Sequence, residues 1–119
     1  MLVRIWTTQI ASGREPEYLA FANERSREMF LSQPGCLGVL FLKTNHGEHA
    51  ACSFWSSNVE IGALTSSSSY NATVSDLRAT GVLLGEAKAT VYDLEGGAID
   101  GSSFITILKK HGVSELRET

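Results

Sequence analysis

The sequence predicts an α+β domain in which a four-stranded antiparallel sheet carries helices on one face. Three observations lead to this prediction. Strand-like and helix-like hydrophobic patterns alternate along the chain in the order β-α-β-β-α-β. Glycine, proline and asparagine lie at the boundaries between these segments. The 119 residues, of which 43% are hydrophobic, can build one compact core but not two.

The first strand and the first helix are separated by the turn sequence "SGREP". Residues 2–11, "LVRIWTTQIA", are rich in β-branched and aromatic side chains, which predicts a strand. Pro16 suits the first turn of a helix, because the N–H group that proline lacks is not needed there. Apolar side chains then recur at helical spacing as far as Pro34. This pattern predicts a helix over about 15–32.

The next two segments are typical of a β-hairpin. Residues 35–44, "GCLGVLFLKT", form a short apolar run, and "NHGE" follows as a turn. Residues 49–55, "HAACSFW", form a second apolar run. We therefore expect the second and third strands to pair in antiparallel orientation.

A capping motif predicts the start of the second helical region. Ser57 precedes Glu60 by three residues, which is the spacing of a capping box. Four consecutive serines, 66–69, then compete for backbone hydrogen bonds and favour a break in the helix. A further helical piece has Ser69 as its expected cap and ends at one of two glycines. Its apolar positions are Tyr70, Val74 and Leu77, and the two glycines are Gly81 and Gly85.

The fourth strand and a C-terminal extension complete the chain. Residues 86–94, "EAKATVYDL", alternate as a strand does. We therefore expect a domain over 1–94 and an extension over 95–119. In the extension, a glycine-rich spacer precedes "FITILKK", whose β-branched residues predict an added edge strand, preferably on a partner subunit. We expect a disordered end from about His111.

The predicted order is that of a ferredoxin-like fold, in which two helices cover one face of the sheet. The opposite face then stays open. A bare sheet face that carries Trp and Phe would be a large apolar patch, and an identical subunit is the simplest partner for it. The order of elements therefore predicts a homodimer.

Composition and charge exclude several classes of protein. Ten basic and thirteen acidic residues give a net charge of −3 without a basic face, so we expect no nucleic-acid partner. No apolar run is long enough to span a bilayer and no secretory signal is evident, which predicts a cytoplasmic protein with no membrane partner. Cys36 and Cys52 lack metal or redox spacing and are expected to be buried, reduced thiols. No dinucleotide fingerprint, P-loop or metal-ligand cluster occurs, so we expect no cofactor and no metal.

The residues 1–94 resemble the antibiotic biosynthesis monooxygenase family of the dimeric α/β-barrel superfamily. Three stretches carry the resemblance: "SGREPEYLAF", "PGCLGVLFLK" and, above all, "FWSS" before the second helical region. The resemblance implies a dimer with packed sheets and a small apolar cavity between sheet and helices in each subunit. It also implies cofactor-free oxidation of polycyclic phenols to quinones, in which the deprotonated substrate itself reduces dioxygen.

The resemblance also assigns candidate residues. Trp55 matches the tryptophan that quinone-forming members place at the end of the third strand, where its N–H can reach the substrate oxygen. Their asparagine four residues earlier corresponds to Ala51, and their tyrosine six residues later corresponds to Ile61. The haem-degrading branch is excluded, because its strand asparagine falls at Trp6 and no histidine lies between His49 and His111.

Each candidate has a structural role as an alternative. Trp55 either wedges the second helical region against the sheet or donates to a ligand. Trp6 lines the cavity if its side of the strand faces the helices. Otherwise it lies in the dimer interface. His49 would be the obvious general base, but about 20 Å of strand separates it from Trp55, and a solvated position beside the turn is favoured. Tyr70 either anchors its helix or extends its hydroxyl into the cavity, and Ser53 supplies a nearby hydroxyl.

Two hypotheses about function follow, with a third kept open. The first is a cofactor-independent monooxygenase for a small apolar molecule, aromatic or quinonoid. Its catalytic residues would be Trp55 and His49, and its ligand-binding residues Trp6, Ser53, Trp55 and Tyr70. The second is a non-catalytic dimeric module that binds a small apolar ligand, which the missing polar side chains at Ala51 and Ile61 favour. A cofactor-free isomerase is the third.

Overall fold

The computed structural model describes residues 1–115, and these form the predicted β-α-β-β-α-β order followed by one further helix. The strands are β1 (Leu2–Ile10), β2 (Cys36–Lys43), β3 (Glu48–Trp55) and β4 (Leu83–Asp93). All neighbouring strands are antiparallel, in the order β2-β3-β1-β4. The ferredoxin-like α+β fold predicted from the sequence is therefore confirmed.

The helices before β4 lie on one side of this sheet. They are α1 (Glu15–Phe21), α2 (Arg27–Ser32), α3 (Asn58–Leu64) and α4 (Ser68–Ala79). A π-helical turn, Ala22–Ser26, joins α1 to α2, so the predicted helix over 15–32 is continuous but not uniform. The break expected at the serine run is confirmed at residues 65–67, and Ser67 rather than Ser69 caps α4, because the Ser67 hydroxyl accepts from the Tyr70 N–H at 3.3 Å.

The π-turn has a reason in the sequence. Tyr18, Ala22, Ser26 and Phe30 are all buried, and they recur at every fourth residue. A step of four residues overshoots one α-helical turn by about 40°, so three steps would carry the row away from the sheet. The wider π-turn offsets this drift. It keeps the four side chains on the side of the helix that faces the sheet.

The sheet register decides which side chains face the helices. Arg4 pairs with Ser53 and Trp6 pairs with Ala51 across β1 and β3, and paired residues share one face of a sheet. Alternate residues of β1 from Leu2 to Ile10 are buried on this helical side. The register between β1 and β4 shifts after Thr7, where a bulge in β4 holds Gly85 at a φ of 69°. Gly81, at a φ of 79°, lies just after α4.

The start of α3 differs in detail from the predicted capping box. Ser57 is the N-cap residue, but its hydroxyl contacts the Glu60 carboxylate instead of a backbone N–H. The hydrogen bond from Ser57 lowers the pKa of the Glu60 carboxyl. The Glu60 side chain lies over Gly35, whose φ is 78°. The turn before β2 and the start of α3 are therefore packed directly against each other.

The far side of the sheet carries apolar side chains that no helix of the core covers. Cys52 on this side is buried, whereas Leu42 and Tyr92 are about half exposed, at 48% and 54%. The dimer and the closed barrel expected from this open face remain predictions. None of the helices within residues 1–115 is long and apolar enough to cross a membrane.

The predicted fifth strand is wrong, because the extension forms helix α5 (Gly101–Lys110). The Asp100 side chain caps it by accepting from the Ser103 N–H at 3.4 Å. Phe104, Ile107 and Leu108 follow at spacings of three and four, which is helical periodicity. This amphipathic period outweighs the β-branched composition.

The end of α5 is an ordered turn, so the disorder expected from His111 does not begin there. The N–H groups of His111 and Val113 both donate to the Leu108 carbonyl. Residues 116–119, the rest of that predicted tail, lie outside the described residues. Helix α5 and the turn after it line a groove of about 480 Å³ together with β2 and the segment from α1 to α2.

Candidate functional site

A small cavity lies between the helical side of the sheet and the helices. Its volume is about 30 Å³, which is room for one or two water molecules. Its walls come from β1, β2, β3 and the helices that cover them. The lining residues are Arg4, Trp6, Tyr18, Ser26, Met29, Phe30, Phe41, Ala51, Tyr70, Thr73, Val74 and Leu77.

Two of the predicted ligand-binding residues reach this cavity. Trp6 faces the helices and is 9% exposed, which decides between the two positions that the sequence left open for it. Tyr70, on α4, brings its hydroxyl to the same cavity and accepts a hydrogen bond there. Ala51, at the position that the resemblance assigns to an asparagine, contributes only a methyl group to the wall.

Ser53 and Trp55 are completely buried but do not line this cavity. The indole N–H of Trp55 donates to Oγ of Ser53 at 2.8 Å. The same hydroxyl donates to the Arg4 carbonyl oxygen at 3.4 Å. The N–H that the resemblance directs toward a substrate is therefore bound within the protein, as in the packing role considered for Trp55.

His49 is buried, so the solvated position favoured by the sequence is wrong. It is 6% exposed, and its ring lies edge-on to Tyr18 with the ring centroids 4.9 Å apart. Burial lowers the pKa of His49, nearby Lys43 lowers it further, and Glu15 opposes both. His49 lies behind Tyr18 and not on the cavity wall, whereas His46 is exposed in the turn as expected. The catalytic roles of His49 and Trp55 remain predictions.

The candidates predicted from the sequence omitted Arg4, which among residues 1–115 is the one charged side chain on the cavity wall. Arg4 is 5% exposed, and its Nη2 donates to the Tyr70 hydroxyl at 2.9 Å. Its position in β1 could have identified Arg4 as a candidate from the sequence. Arg4 shares the buried side of the strand with Trp6 and Thr8, where a charged residue is rare unless it is paired.

Tyr18, Cys36 and Cys52, which lie on or against the sheet, are kept protonated at neutral pH by burial. Burial raises the pKa of Tyr18, on the cavity wall, to about 12. Burial also raises the pKa of both cysteine thiols, although a hydrogen bond with the Gly38 backbone opposes this for Cys36. Cys36 and Cys52 are free thiols, as predicted, with Cys52 buried and Cys36 half-buried. Within residues 1–115, no group of three or more His, Cys, Asp or Glu side chains is placed to hold a metal ion.

Solved structures with this fold come from several proteins. A protein described as an antibiotic biosynthesis monooxygenase has a TM-score of 0.65 and 15% identity, over 81% of this chain and 100% of the other. SnoaB from Streptomyces nogalater, a cofactor-independent oxygenase solved as a variant, has a TM-score of 0.67 and 12% identity, over 81% and 94% of the two chains.

A Nitrosomonas europaea protein of unknown function is as similar, with a TM-score of 0.67 and 12% identity over 82% of this chain and 92% of that protein. No protein-family model and no curated protein sequence matches the chain. Identities this low show a shared fold, and a fold alone does not give an activity. The chain therefore has the fold of the antibiotic biosynthesis monooxygenases.

Proposed function

We propose that the chain binds a small, electron-rich aromatic molecule in the cavity and oxidises it with dioxygen without a bound cofactor. The cavity wall is the observation that supports this. Trp6, Phe30 and Phe41 give it aromatic surfaces, and Val74 and Leu77 add aliphatic ones. Such a wall excludes water and orients a flat ring. A cofactor-independent oxygenase, SnoaB, shares the fold.

The chemistry requires little from the protein. A deprotonated phenol gives an electron to dioxygen, and the two radicals combine to form a C–O bond. Cleavage of the O–O bond leaves one oxygen on the ring as a quinone carbonyl and releases the other as water. The hydrogens of that water are the phenol O–H and the ring C–H. The protein supplies a dry chamber, orientation and a path for the protons.

The cavity must widen to admit an aromatic ring, since about 30 Å³ holds only water-sized groups. Tyr70 and Val74 form its wall from α4, and α4 begins directly after the non-helical residues 65–67. A short break of this kind can absorb a rotation of the helix that follows it. We propose that movement of α4 at this break opens the cavity.

Two substitutions of alanine by valine test this function. Ala51 lines the cavity, whereas Ala50 is its neighbour on β3 and faces the open side of the sheet. In Ala51→Val, the added methyl groups fill the cavity, and valine is well tolerated in strands. We expect Ala51→Val to abolish oxygen uptake with a panel of phenols and anthrones, and Ala50→Val to retain it. Equal uptake by both variants would place the reaction elsewhere.

A second candidate is a module that binds such a molecule without oxidising it. It is favoured by the cavity lining, which includes no histidine, carboxylate or lysine from the described part of the chain. Quenching of Trp6 fluorescence would report binding directly. Quenching without oxygen uptake supports the module, and a lactone substrate that isomerises without oxygen uptake supports the isomerase. If no aromatic molecule quenches the fluorescence, both the oxygenase and the module are contradicted.

We also propose that the chain acts as a homodimer in the cytoplasm. The half-exposed apolar side chains on the open face of the sheet would be covered by the same face of a second copy. The two free cysteines are compatible with a compartment that keeps thiols reduced.

A further inference from the structure

The buried charge of Arg4 is not balanced by any acidic side chain that the structure describes. Within residues 1–115, the ion pairs use Arg14, Arg25, Arg27 and Lys109 as cations, and none includes Arg4. Its partner is the neutral phenol of Tyr70, by a hydrogen bond of 2.9 Å and by the Tyr70 ring, whose centroid lies 5.4 Å from the guanidinium carbon. A cation on the wall of an apolar cavity therefore has no counter-anion there.

The hydrogen bonds of the guanidinium are incomplete. Nη1 is fully buried, and within the described part of the chain it has no hydrogen-bond partner. It is the one buried side-chain nitrogen or oxygen there without a partner. Leaving such a donor unsatisfied is costly, more so when it carries charge. Arginine cannot escape this cost by losing its proton at physiological pH.

The unsatisfied donor matches one class of ligand. Two neighbouring guanidinium nitrogens bind an oxyanion in a fork-like geometry, and Nη2 keeps a second N–H beyond the one given to Tyr70. The Tyr70 hydroxyl accepts from Arg4, so its own proton is free to be donated to the same oxyanion. Two nitrogens of Arg4 and the hydroxyl of Tyr70 are therefore the donors available to a ligand oxyanion at this position.

We infer that Arg4 and Tyr70 form an oxyanion subsite, and that the ligand binds with a deprotonated oxygen at Arg4 and its apolar body against Trp6 and Phe41. The aromatic nature of that body rests on the proposed function, whereas the oxyanion subsite does not. For a phenol, the subsite would favour the phenolate over the neutral form. The phenolate is the form that reduces dioxygen.

4-Nitrophenol and its methyl ether, 4-nitroanisole, form a matched pair of probes, because the ether cannot ionise. We expect the wild-type protein to bind 4-nitrophenolate about 10- to 100-fold more tightly than Arg4→Met does, which is the range for a charge-assisted hydrogen bond. 4-Nitroanisole should bind both proteins equally. The visible absorbance of bound 4-nitrophenol should also show a lowered pKa in the wild-type protein only.

Two further variants separate the subsite from general effects. Tyr70→Phe removes one donor and should weaken 4-nitrophenolate binding by less than Arg4→Met does. Arg25→Met removes a half-exposed surface cation paired with Asp76, and should leave binding unchanged. Arg4→Met should fold at least as stably as the wild type, since it removes an unpaired buried charge.

Formate tests the subsite without the aromatic body, because its three heavy atoms require much less widening of the cavity than an aromatic ring does. We expect formate to raise the melting temperature of the wild-type protein and not that of Arg4→Met. If formate stabilises only the wild type while no aromatic molecule binds, the proposed function fails and the subsite stands. If formate has no such effect and 4-nitrophenolate binds no more tightly than 4-nitroanisole, the subsite is refuted.

Discussion

Trp55 and Ser53 are joined by a 2.8 Å hydrogen bond at a point where neither side chain has any exposure to solvent. The Ser53 hydroxyl also donates to the Arg4 carbonyl on the neighbouring strand. The largest fully buried side chain within residues 1–115 is thereby fixed at the end of β3, directly before α3. This pair explains why the fold places a tryptophan at the junction of strand and helix: the ring fills the corner and its N–H is satisfied locally.

We expect Trp55→Phe to lower the free energy of unfolding by about 1–3 kcal/mol, because it loses a buried hydrogen bond and leaves a small void. Urea unfolding measures this. Ser53→Ala should cost a similar amount by leaving the indole N–H unpaired, and the double variant should cost less than the sum. Additive losses would show that the two side chains are not energetically coupled. A loss of ligand affinity without loss of stability would instead place Trp55 at the ligand.

The buried position of His49 should make stability depend on pH. Its pKa is lowered in the folded protein from the ordinary value of 6.5. As the pH falls below 6.5, the unfolded chain takes up the proton first, so the free energy of unfolding falls until the pH is below the pKa of the folded form. Above 6.5 this contribution is complete. We expect His49→Phe to lose this part of the pH dependence in urea unfolding between pH 7.5 and pH 5.

His46→Phe is the matched control for that experiment, because His46 is exposed in the turn between β2 and β3. Its pH dependence should equal that of the wild type. Acidic groups such as Glu60, whose pKa is also lowered, contribute equally to both variants. The difference between the two variants therefore isolates His49, and identical profiles would contradict its burial as a neutral ring.

Substitution by alanine should lower the melting temperature by different amounts at two glycines that have nearly the same backbone conformation. Gly13 and Gly35 have φ values of 81° and 78°, so Ala at either position costs about 1–2 kcal/mol of backbone strain. At Gly13 the new methyl group meets open space, whereas at Gly35 it would overlap the Glu60 side chain. We expect Gly35→Ala to lower the melting temperature more than Gly13→Ala.

Removal of the Glu60 side chain should recover part of the melting temperature that Gly35→Ala loses. The double variant Gly35→Ala/Glu60→Ala is expected to melt above Gly35→Ala alone, because only the backbone strain and the lost Ser57 contact remain. Equal melting temperatures for Gly13→Ala and Gly35→Ala would show that Glu60 moves aside without cost.

If the open faces of two chains pack together, a substitution by lysine should affect self-association on one side of the molecule and not on the other. Leu42 on the open face is 48% exposed, and Val59 on α3 is 79% exposed. We expect Leu42→Lys to weaken self-association by placing a charge in the covered face, and Val59→Lys to leave the sedimentation coefficient of the dimer unchanged. A wild-type chain that sediments as a folded monomer at micromolar concentration would contradict the dimer.

The sequence predicted the element order correctly, because hydrophobic periods are local properties. Alternation also grouped the residues of each central strand into two rows, but it did not decide which row faces the helices. Trp6 and Ser53 belong to buried rows that can be counted along β1 and β3. The extension was predicted wrongly from its β-branched composition, although Asp100 and the spacing from Phe104 to Leu108 are helix signals. Composition describes single residues, whereas the helical period depends on their order.

The candidate site was predicted less completely, and the reason is geometric. A list of polar and aromatic residues pointed to Trp55 and His49, but in the folded chain the N–H of Trp55 is bound by Ser53 and His49 lies behind Tyr18. Arg4 belongs to the same row of β1 as Trp6. Its importance depends on what is missing around it, and a missing counter-charge is not visible in a linear sequence.

The amino-acid order alone determined a ferredoxin-like sheet with one helical side and one open side, because hydrophobic periods and turn residues act over a few neighbours. Only the tertiary structure decided that Arg4 and Tyr70, 66 positions apart, share one cavity with Trp6 and that Nη1 of Arg4 has no partner in the described part of the chain. The burial of a side chain and the partners of its hydrogen-bonding groups depend on residues from distant segments of the chain. They are fixed when those segments pack together.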